Sequence, residues 1–166
     1  MKQQLISDLD EFLTFIKSLD TLKDGIWFAP LSEGKWRIYD IVTHIMKWDD
    51  YFNNVTFPIL AQRELSELRE HHDYLGYNEQ SIQYGKGRTK KEIIDETIQN
   101  RLIMISNLIK LEDNKFSALY LGDRGFTLTS YMTEFFTSHD KHHMKQIQDF
   151  LVTRASQMAR YRTFLA

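Results

Sequence analysis

The sequence predicts an all-α fold, a four-helix bundle, and three observations carry that expectation. Apolar residues recur at steps of three and four through four separate stretches, the spacing that puts them on one face of a helix. The 166 residues include only two prolines and seven glycines, too few for the closely spaced turns of a strand-and-hairpin architecture. A chain of this length buries about 70% of the surface its unfolded form exposes, and 42% of this one is hydrophobic. It can therefore hold a full core without disulfides or a structural metal. The reading is a single domain over 1–166, with a bundle core spanning about 3–153.

The first helix follows from Leu5, Leu9, Phe12, Ile16 and Leu19. Lys23 and Gly25 then predict a basic last turn and a left-handed stop. After the turn-rich stretch Pro30–Gly34, a second helix carries Ile38, Ile41, Ile45, Trp48 and Phe52, and Pro58 interrupts or kinks it. Residues 61–88 are polar and irregular, a long connection with at most a short helix around Glu64–Glu70. Thr89-Lys90-Lys91-Glu92 has the spacing of a capping box. The third helix that follows has the stripe Ile94, Ile98, Leu102, Ile105, Leu108 and Ile109, with Arg101 as a polar intrusion near its edge. Gly122 and Gly125 bracket a turn, and the fourth helix opens near Thr127 or Thr129. Its stripe is Leu128, Met132, Phe135, Phe136, His139, His143, Ile147, Phe150 and Leu151. Residues 154–166 form an amphipathic tail through Met158, Tyr161 and Leu165, suited to packing on the bundle or on a partner subunit. Four long amphipathic helices imply an antiparallel-type bundle.

Charge and composition exclude several function classes. A net charge of −2 and a pI near 6.3 give no global field for nucleic acid or an anionic membrane, so neither is an expected partner. Asp8, Asp10 and Glu11 stand where a signal peptide needs an apolar run, and no apolar stretch reaches the length of a membrane span. The expectation is a cytoplasmic protein. The chain has no cysteine, which removes disulfides, Cys-ligated zinc, iron–sulfur clusters and a cysteine nucleophile.

Six histidines remain as a ligand supply. His139 and His143 are four apart on the fourth helix, so their rings lie one turn apart on one face. Both interrupt the apolar stripe where a core residue is expected. His44 shares a face of the second helix with Ile41 and Trp48 and points into the same interior. Three neutral imidazoles from two helices make a facial set for a divalent metal, with positions left for water or substrate. The competing account is that each is a core histidine satisfied by a neighbouring side chain. His142 is swung about 100° off the ligand face, a surface or supporting position, and His71 and His72 fall in the polar connection.

Other motifs fail on their own terms. There is no His-Glu-x-x-His. A ferritin-like di-iron site needs Glu-x-x-His, yet the residues three before His44, His139 and His143 are Ile41, Phe136 and Asp140. Gly85-Lys86-Gly87-Arg88 lacks the rest of a phosphate loop and reads as a turn. Lys86, Arg88, Lys90 and Lys91 form a solvated basic cluster without a recognition-helix pattern. A Gly-x-Ser-x-Gly elbow is absent.

Two runs carry a family resemblance. Lys35-Trp36-Arg37-Ile38-Tyr39-Asp40-Ile41-Val42-Thr43-His44, with Trp48 and Asp49 behind it, resembles the first signature of the DinB-like (DinB/YfiT-like) superfamily of four-helix bundles. His139-Asp140-Lys141-His142-His143-Met144-Lys145-Gln146-Ile147 resembles the second, a His-x-x-His-His-x-x-Gln run. The resemblance extends from about Leu5 to Leu151. It implies that His44, His139 and His143 bind one divalent ion, zinc or nickel, and that Asp49 and Gln146 occupy supporting positions. A ligating imidazole is oriented by whatever accepts its other N–H. The alternative for these two is an exposed charge and a bundle-edge amide. One departure stands out: Arg37 replaces the Ser or Thr that the family often places before the second helix, which removes the usual N-cap while Asp40 still suits the helix dipole.

The resemblance implies three functional expectations. The first is a bacillithiol-type, thiol-dependent S-transferase in detoxification or stress response, with a low-molecular-weight thiol as cosubstrate and a small molecule as acceptor. The second is a metal-dependent hydrolase with Asp49 or another carboxylate assisting as base. The third is a noncatalytic metal-binding or interaction protein. The apolar tail and the resemblance together imply a homodimer.

Overall fold

A computed structural model describes residues 1–61, 73–120 and 125–164. Four long helices carry the architecture: α1 (Lys2–Leu19), α3 (Ile38–Tyr51), α6 (Lys90–Lys110) and α9 (Ser138–Phe164). Shorter elements lie between them: α2 (Asp24–Trp27), α4 (Phe57–Ala61), α5 (Tyr74–Gly85), α7 (Asp113–Ser117), the two-residue strands β1 (Leu119–Tyr120) and β2 (Phe126–Thr127), and α8 (Leu128–Met132). The close packing runs from α1 to α6, α6 to α3, α3 to α9 and α9 back to α1. Consecutive long helices α1 and α3 thus lie across the bundle from each other, and segment 20–37 makes the crossing. No described helix is long and apolar enough to cross a membrane.

Helix α1 buries Leu5, Leu9, Phe12, Ile16 and Leu19 as its periodicity predicts. The left-handed stop at Gly25 is not found: α1 ends at Leu19, Asp20 keeps right-handed helical angles, and Gly25 lies inside α2. The turn-rich stretch is a tight loop, with Gly34 at φ +69° and Leu31 N–H donating to Trp36 O at 3.0 Å. Arg37 caps α3 by an unexpected route. Its backbone N–H and its Nε–H both donate to Asp40 Oδ2, at 2.9 and 2.7 Å, so the carboxylate supplies the reciprocal half of a capping box, while the guanidinium, which has no acceptor, leaves the hydroxyl's half unfilled.

Among the described residues, two π turns adjoin the long helices. In the first, Phe52–Thr56, Phe57 N–H bonds to Phe52 O. Pro58 lies just beyond, and widening the preceding turn relieves the clash of its ring with the carbonyl four residues back. The second, Thr133–Thr137, falls between α8 and α9.

Residues 74–85 form a regular helix where the sequence predicted an irregular connection. Asp73 caps it by accepting from Gly76 N–H at 2.8 Å. It is docked on α3 by Tyr77 Oη–H to Lys47 O at 2.7 Å, by Trp48 Nε1–H to Asn78 Oδ1 at 2.9 Å, and by Tyr39 Oη–H to Gly85 O. Gly85 is required there, since a Cβ would stand 2.8 Å from Tyr39 Oη. The predicted helix at Glu64–Glu70, the histidines His71 and His72, Gly122 and Leu165 lie outside the described residues.

Helix α6 opens with the predicted box, Thr89 N–H donating to Glu92 Oε2 at 2.7 Å and Glu92 N–H to Thr89 Oγ1 at 3.2 Å. Its buried stripe is narrower than predicted: Leu102 and Ile109 are 44% and 54% exposed, while Met104 and Arg101 face inward. Arg101, expected near the edge, is fully buried. In the tail, the described side chain of Met158 does not pack on the bundle. Helix α9 runs straight on past Leu151, and Val152 and Met158 are exposed.

The buried apolar residues form two clusters. One gathers Phe12, Ile16, Trp27, Ile41, Ile45, Ile94 and Ile147; the other gathers Leu5, Leu9, Phe52, Met104, Leu108, Met132 and Phe136. On α3, α6 and α9 the polar residues Asp49, Arg101 and Asp140 come between the stretches that feed the two clusters.

Candidate metal centre

Helix α3 supplies His44 and the first turns of α9 supply His139 and His143. The π turn at Thr133–Thr137 sets which face of α9 turns inward. Its closing bond, Ser138 N–H to Thr133 O, spans one residue more than an α turn. Each such insertion rotates the following face by about 100° relative to an unbroken helix.

The three rings meet edge-on. His44 Nε2 lies 3.0 Å from His139 Nε2, and His143 Nε2 lies 3.1 Å from the same atom. Available ring nitrogens of all three fall within 4.8 Å of one another. Gln146 Oε1 accepts from His143 Nδ1–H at 2.8 Å, which places the proton of the neutral ring outward and turns the Nε2 lone pair toward His139. His139 Nε2 then faces two nitrogens and can donate one proton or accept one, never both. His44 Nδ1 is buried without a hydrogen-bond partner. Trp36 packs on the His44 ring with centroids 5.1 Å apart.

Burial keeps these rings neutral. His44, 4% exposed, is lowered to about 4, first by desolvation and then by the neighbouring His143, with Asn78 opposing. His139 is lowered to about 3, first by desolvation and then by the electrostatic influence of His143, His44, His142 and Arg101. His143 is lowered by burial against the pull of Gln146. The donor set fits a divalent metal ion: three neutral imidazoles, no carboxylate among them, and lone pairs that protons alone leave poorly matched.

The predicted supporting residues part company. Gln146 hydrogen-bonds the His143 imidazole. Asp49 makes no hydrogen bond to any of the three among the described residues. It is fully buried, and its two oxygens accept from Arg101 Nε–H at 2.7 Å and Nη2–H at 3.0 Å. Arg101 also donates to Asp140, through Nη1 and through Nη2, the latter at 3.1 Å, and its guanidinium stacks 4.3 Å from the Phe12 ring centroid. Desolvation pushes the Asp49 carboxyl up to about 7, with Arg101 opposing and Asp140 adding repulsion. Asp140 is raised for the same reason. A carboxylate fully engaged by a guanidinium is not free to act as a base, which corrects the expectation for Asp49. Arg101 is the residue sequence reasoning missed; its signal was a lone cation inside an otherwise apolar stripe. His142 is exposed, as expected of a surface position.

Two cavities flank the histidines. The larger, about 710 Å³, includes His143, Gln146, Trp36, Lys35, Asp149 and Phe150 in its lining. The smaller, about 190 Å³, is lined by His44 and His139 together with Trp48, Tyr51, Tyr74 and Glu134, among others.

No known family model matches the chain, and no curated protein matches it. A solved structure does. YfiT from Bacillus subtilis, described as a probable metal-dependent hydrolase with an unusual four-helix bundle topology, superposes with a TM-score of 0.72 at 18% identity, covering 93% of this chain and 87% of that one. At that identity the likeness concerns the fold, and this chain has the four-helix bundle fold of YfiT.

Proposed function

We propose that the chain is a metal-dependent enzyme for small molecules, with one zinc or nickel ion held by His44, His139 and His143, and that it transfers a low-molecular-weight thiol to an electrophile. The observation that carries the metal centre is the convergence of three neutral imidazoles, His44 and His143 buried and His139 half-buried, with Nε2 atoms 3.0 and 3.1 Å apart. A divalent ion bound there supplies Lewis-acid chemistry, lowering the pKa of a thiol or water that reaches it. The chain's own residues do the rest. Gln146 fixes the His143 tautomer, burial keeps all three lone pairs available at neutral pH, and Arg101 withholds Asp49 and Asp140 from the site. Cavities on both sides of the cluster give room for two reactants. With no cysteine in the chain, the sulfur comes from the cosubstrate.

A second reading is hydrolysis, the activity ascribed to YfiT. It is favoured by Glu134, a carboxylate in the same cavity as His44 and His139, which replaces Asp49 as the candidate base. Metal analysis of the purified protein and of His139→Ala tests the centre; a wild type without stoichiometric metal overturns it. Metal-loaded and chelated protein are then compared with a panel of thiols and a chromogenic electrophile. Metal-dependent conjugation supports transfer. Turnover of small esters or amides without thiol supports hydrolysis, and the absence of both leaves the noncatalytic binding protein.

A further inference from the structure

The larger cavity, about 710 Å³, has room for a small organic molecule, and its apolar and polar linings differ in depth. One wall is the loop before α3. Leu31 N–H donates to Trp36 O and Lys35 N–H to Ser32 O, both at 3.0 Å, and Gly34, at φ +69°, supplies the left-handed residue that so tight a turn needs. Another wall is α9, where His143, Gln146, Phe150 and Thr153 recur at steps of three and four and so share one face. Ile41 and Phe150 are buried and Leu31 and Trp36 half-buried, whereas Ser32, Lys35 and Thr153 are exposed. The inner lining is therefore apolar, with His143 in its buried part, and the mouth is polar. The charges there are not balanced. The carboxylate of Asp149 is already engaged, its two oxygens accepting from Lys145 Nζ at 3.1 and 2.9 Å. The Lys35 ammonium has no ion pair or hydrogen bond among the described residues, and neither has the Ser32 hydroxyl. With Gln146 Oε1 accepting from His143, the Gln146 amide nitrogen is also left with free donors. A second cation stands close by: the Arg154 guanidinium lies 5.3 Å from the Phe150 ring centroid, with no carboxylate paired to it among the described residues.

We infer that the larger cavity binds an organic acid, its apolar body on Leu31, Trp36 and Phe150 and its acid group at the mouth against the ammonium of Lys35, with the Ser32 hydroxyl as a further donor. An unpaired ammonium at the edge of an apolar recess forms a charge-assisted hydrogen bond to an anion and gives much less to an uncharged group of the same shape. Arg154 adds positive potential at the approach, and the Lys145 pairing keeps Asp149 from cancelling it. The lysine acts as a point charge, so it takes a carboxylate, a phosphate or a sulfonate alike. A molecule seated this way brings its inner end to His143. This names a substrate class for the proposed centre and rests on that reading for its functional meaning, whereas the binding itself requires no metal.

The test titrates full-length protein, metal-loaded and chelated, with hexanesulfonate and with hexanol, followed by calorimetry. The two share one apolar chain, and a sulfonate is a poor ligand for a metal. Hexanesulfonate is expected to bind about threefold to thirtyfold more tightly than hexanol, and added salt is expected to shrink that preference. Lys35→Met, at an exposed position, is expected to weaken the sulfonate while leaving the alcohol unchanged, and Lys35→Glu to reverse the preference. Equal binding of the two ligands, no binding of the sulfonate, or a preference unchanged in both variants overturns the inference. Hexanoate and hexyl phosphate are compared in chelated protein; tighter binding of one names the natural acid group. Metal content is measured on the same samples. Sulfonate binding retained by His139→Ala, or by wild type that carries no metal, supports the anion site by itself, and sulfonate binding lost with the metal overturns it. Stoichiometric metal in wild type without sulfonate binding overturns the anion site and leaves the metal centre standing.

Discussion

Two polar trios sit inside this bundle, and they differ in one respect that separates architecture from chemistry. Asp49, Arg101 and Asp140 join α3, α6 and α9; His44, His139 and His143 join α3 and α9; and Asp140 follows His139 directly in the chain. In the first trio every guanidinium nitrogen donates to a carboxylate oxygen. Nothing is left for a ligand to satisfy. In the second, two Nε2 atoms face a third that can answer only one of them, and one Nδ1 has no partner at all. Buried polar groups are nearly always paired, so an unmatched cluster points to a component other than protein. A closed network serves the fold, and an open one serves something the fold receives.

The largest effect expected from breaking this contrast comes from Arg101→Ala. It strands two buried carboxylates, and removal of one partner from a buried ionic network costs about 3–5 kcal/mol. Urea denaturation of chelated protein measures it, and a change below about 1 kcal/mol would show that the trio is not the closed structural element described. Next in size is the response to metal. Zinc at about a hundredfold its Kd adds about 2.7 kcal/mol of stability, and His139→Ala abolishes that increment while Arg101 and its carboxylates remain in place. An equal zinc response in His139→Ala would transfer the ion to other ligands. A smaller effect is predicted for Gln146→Leu, which frees His143 Nδ1: loss of such a support lowers metal affinity by about 10- to 100-fold, measured by competition with a chromogenic chelator.

The most gradual effect concerns pH, where the two trios have opposite signs. His44 and His139 are held at about 4 and about 3 against an ordinary 6.5, so the unfolded chain takes up protons that the folded one refuses. Their contribution is intact above pH 6.5 and is lost as pH falls through that window. Asp49, raised to about 7 by burial, works the other way, since the folded state binds its proton first. Chelated His139→Ala is therefore expected to lose less stability than wild type between pH 6.5 and pH 4. Parallel pH profiles of the two proteins would contradict this.

What the sequence disclosed follows the same division. His139 and His143 were legible because a four-residue step on a helix is a geometric statement, and His44 because it stood in an apolar stripe. Gln146 was legible through the run that contains it. Arg101 was not, because its meaning depends on Asp49 and Asp140, which reach it from other helices across 52 and 39 positions. Helical periodicity carries no information about such partners. The π turns were equally hidden: Phe135, Phe136 and His139 read as one continuous stripe, although an extra residue in Thr133–Thr137 resets the face between them. Helix α5 was missed because its stability comes from docking on α3 through Tyr77, Asn78 and Gly85, and its own composition is polar. The stripe on α6 was drawn too wide because Leu102 and Ile109 are apolar yet face water.

The distance along the chain between His44 and His139, 95 positions, has a consequence for biosynthesis. A nascent chain that has emerged as far as α6 carries one of the three histidines and none of the geometry. The pair on α9 is synthesised well after His44 and meets it only when α3 and α9 have come together in the bundle. A site built from all three residues therefore cannot form on one short local segment and nucleate folding, as happens in small metal-dependent modules. Its completeness depends on the packing of helices that lie far apart in the chain.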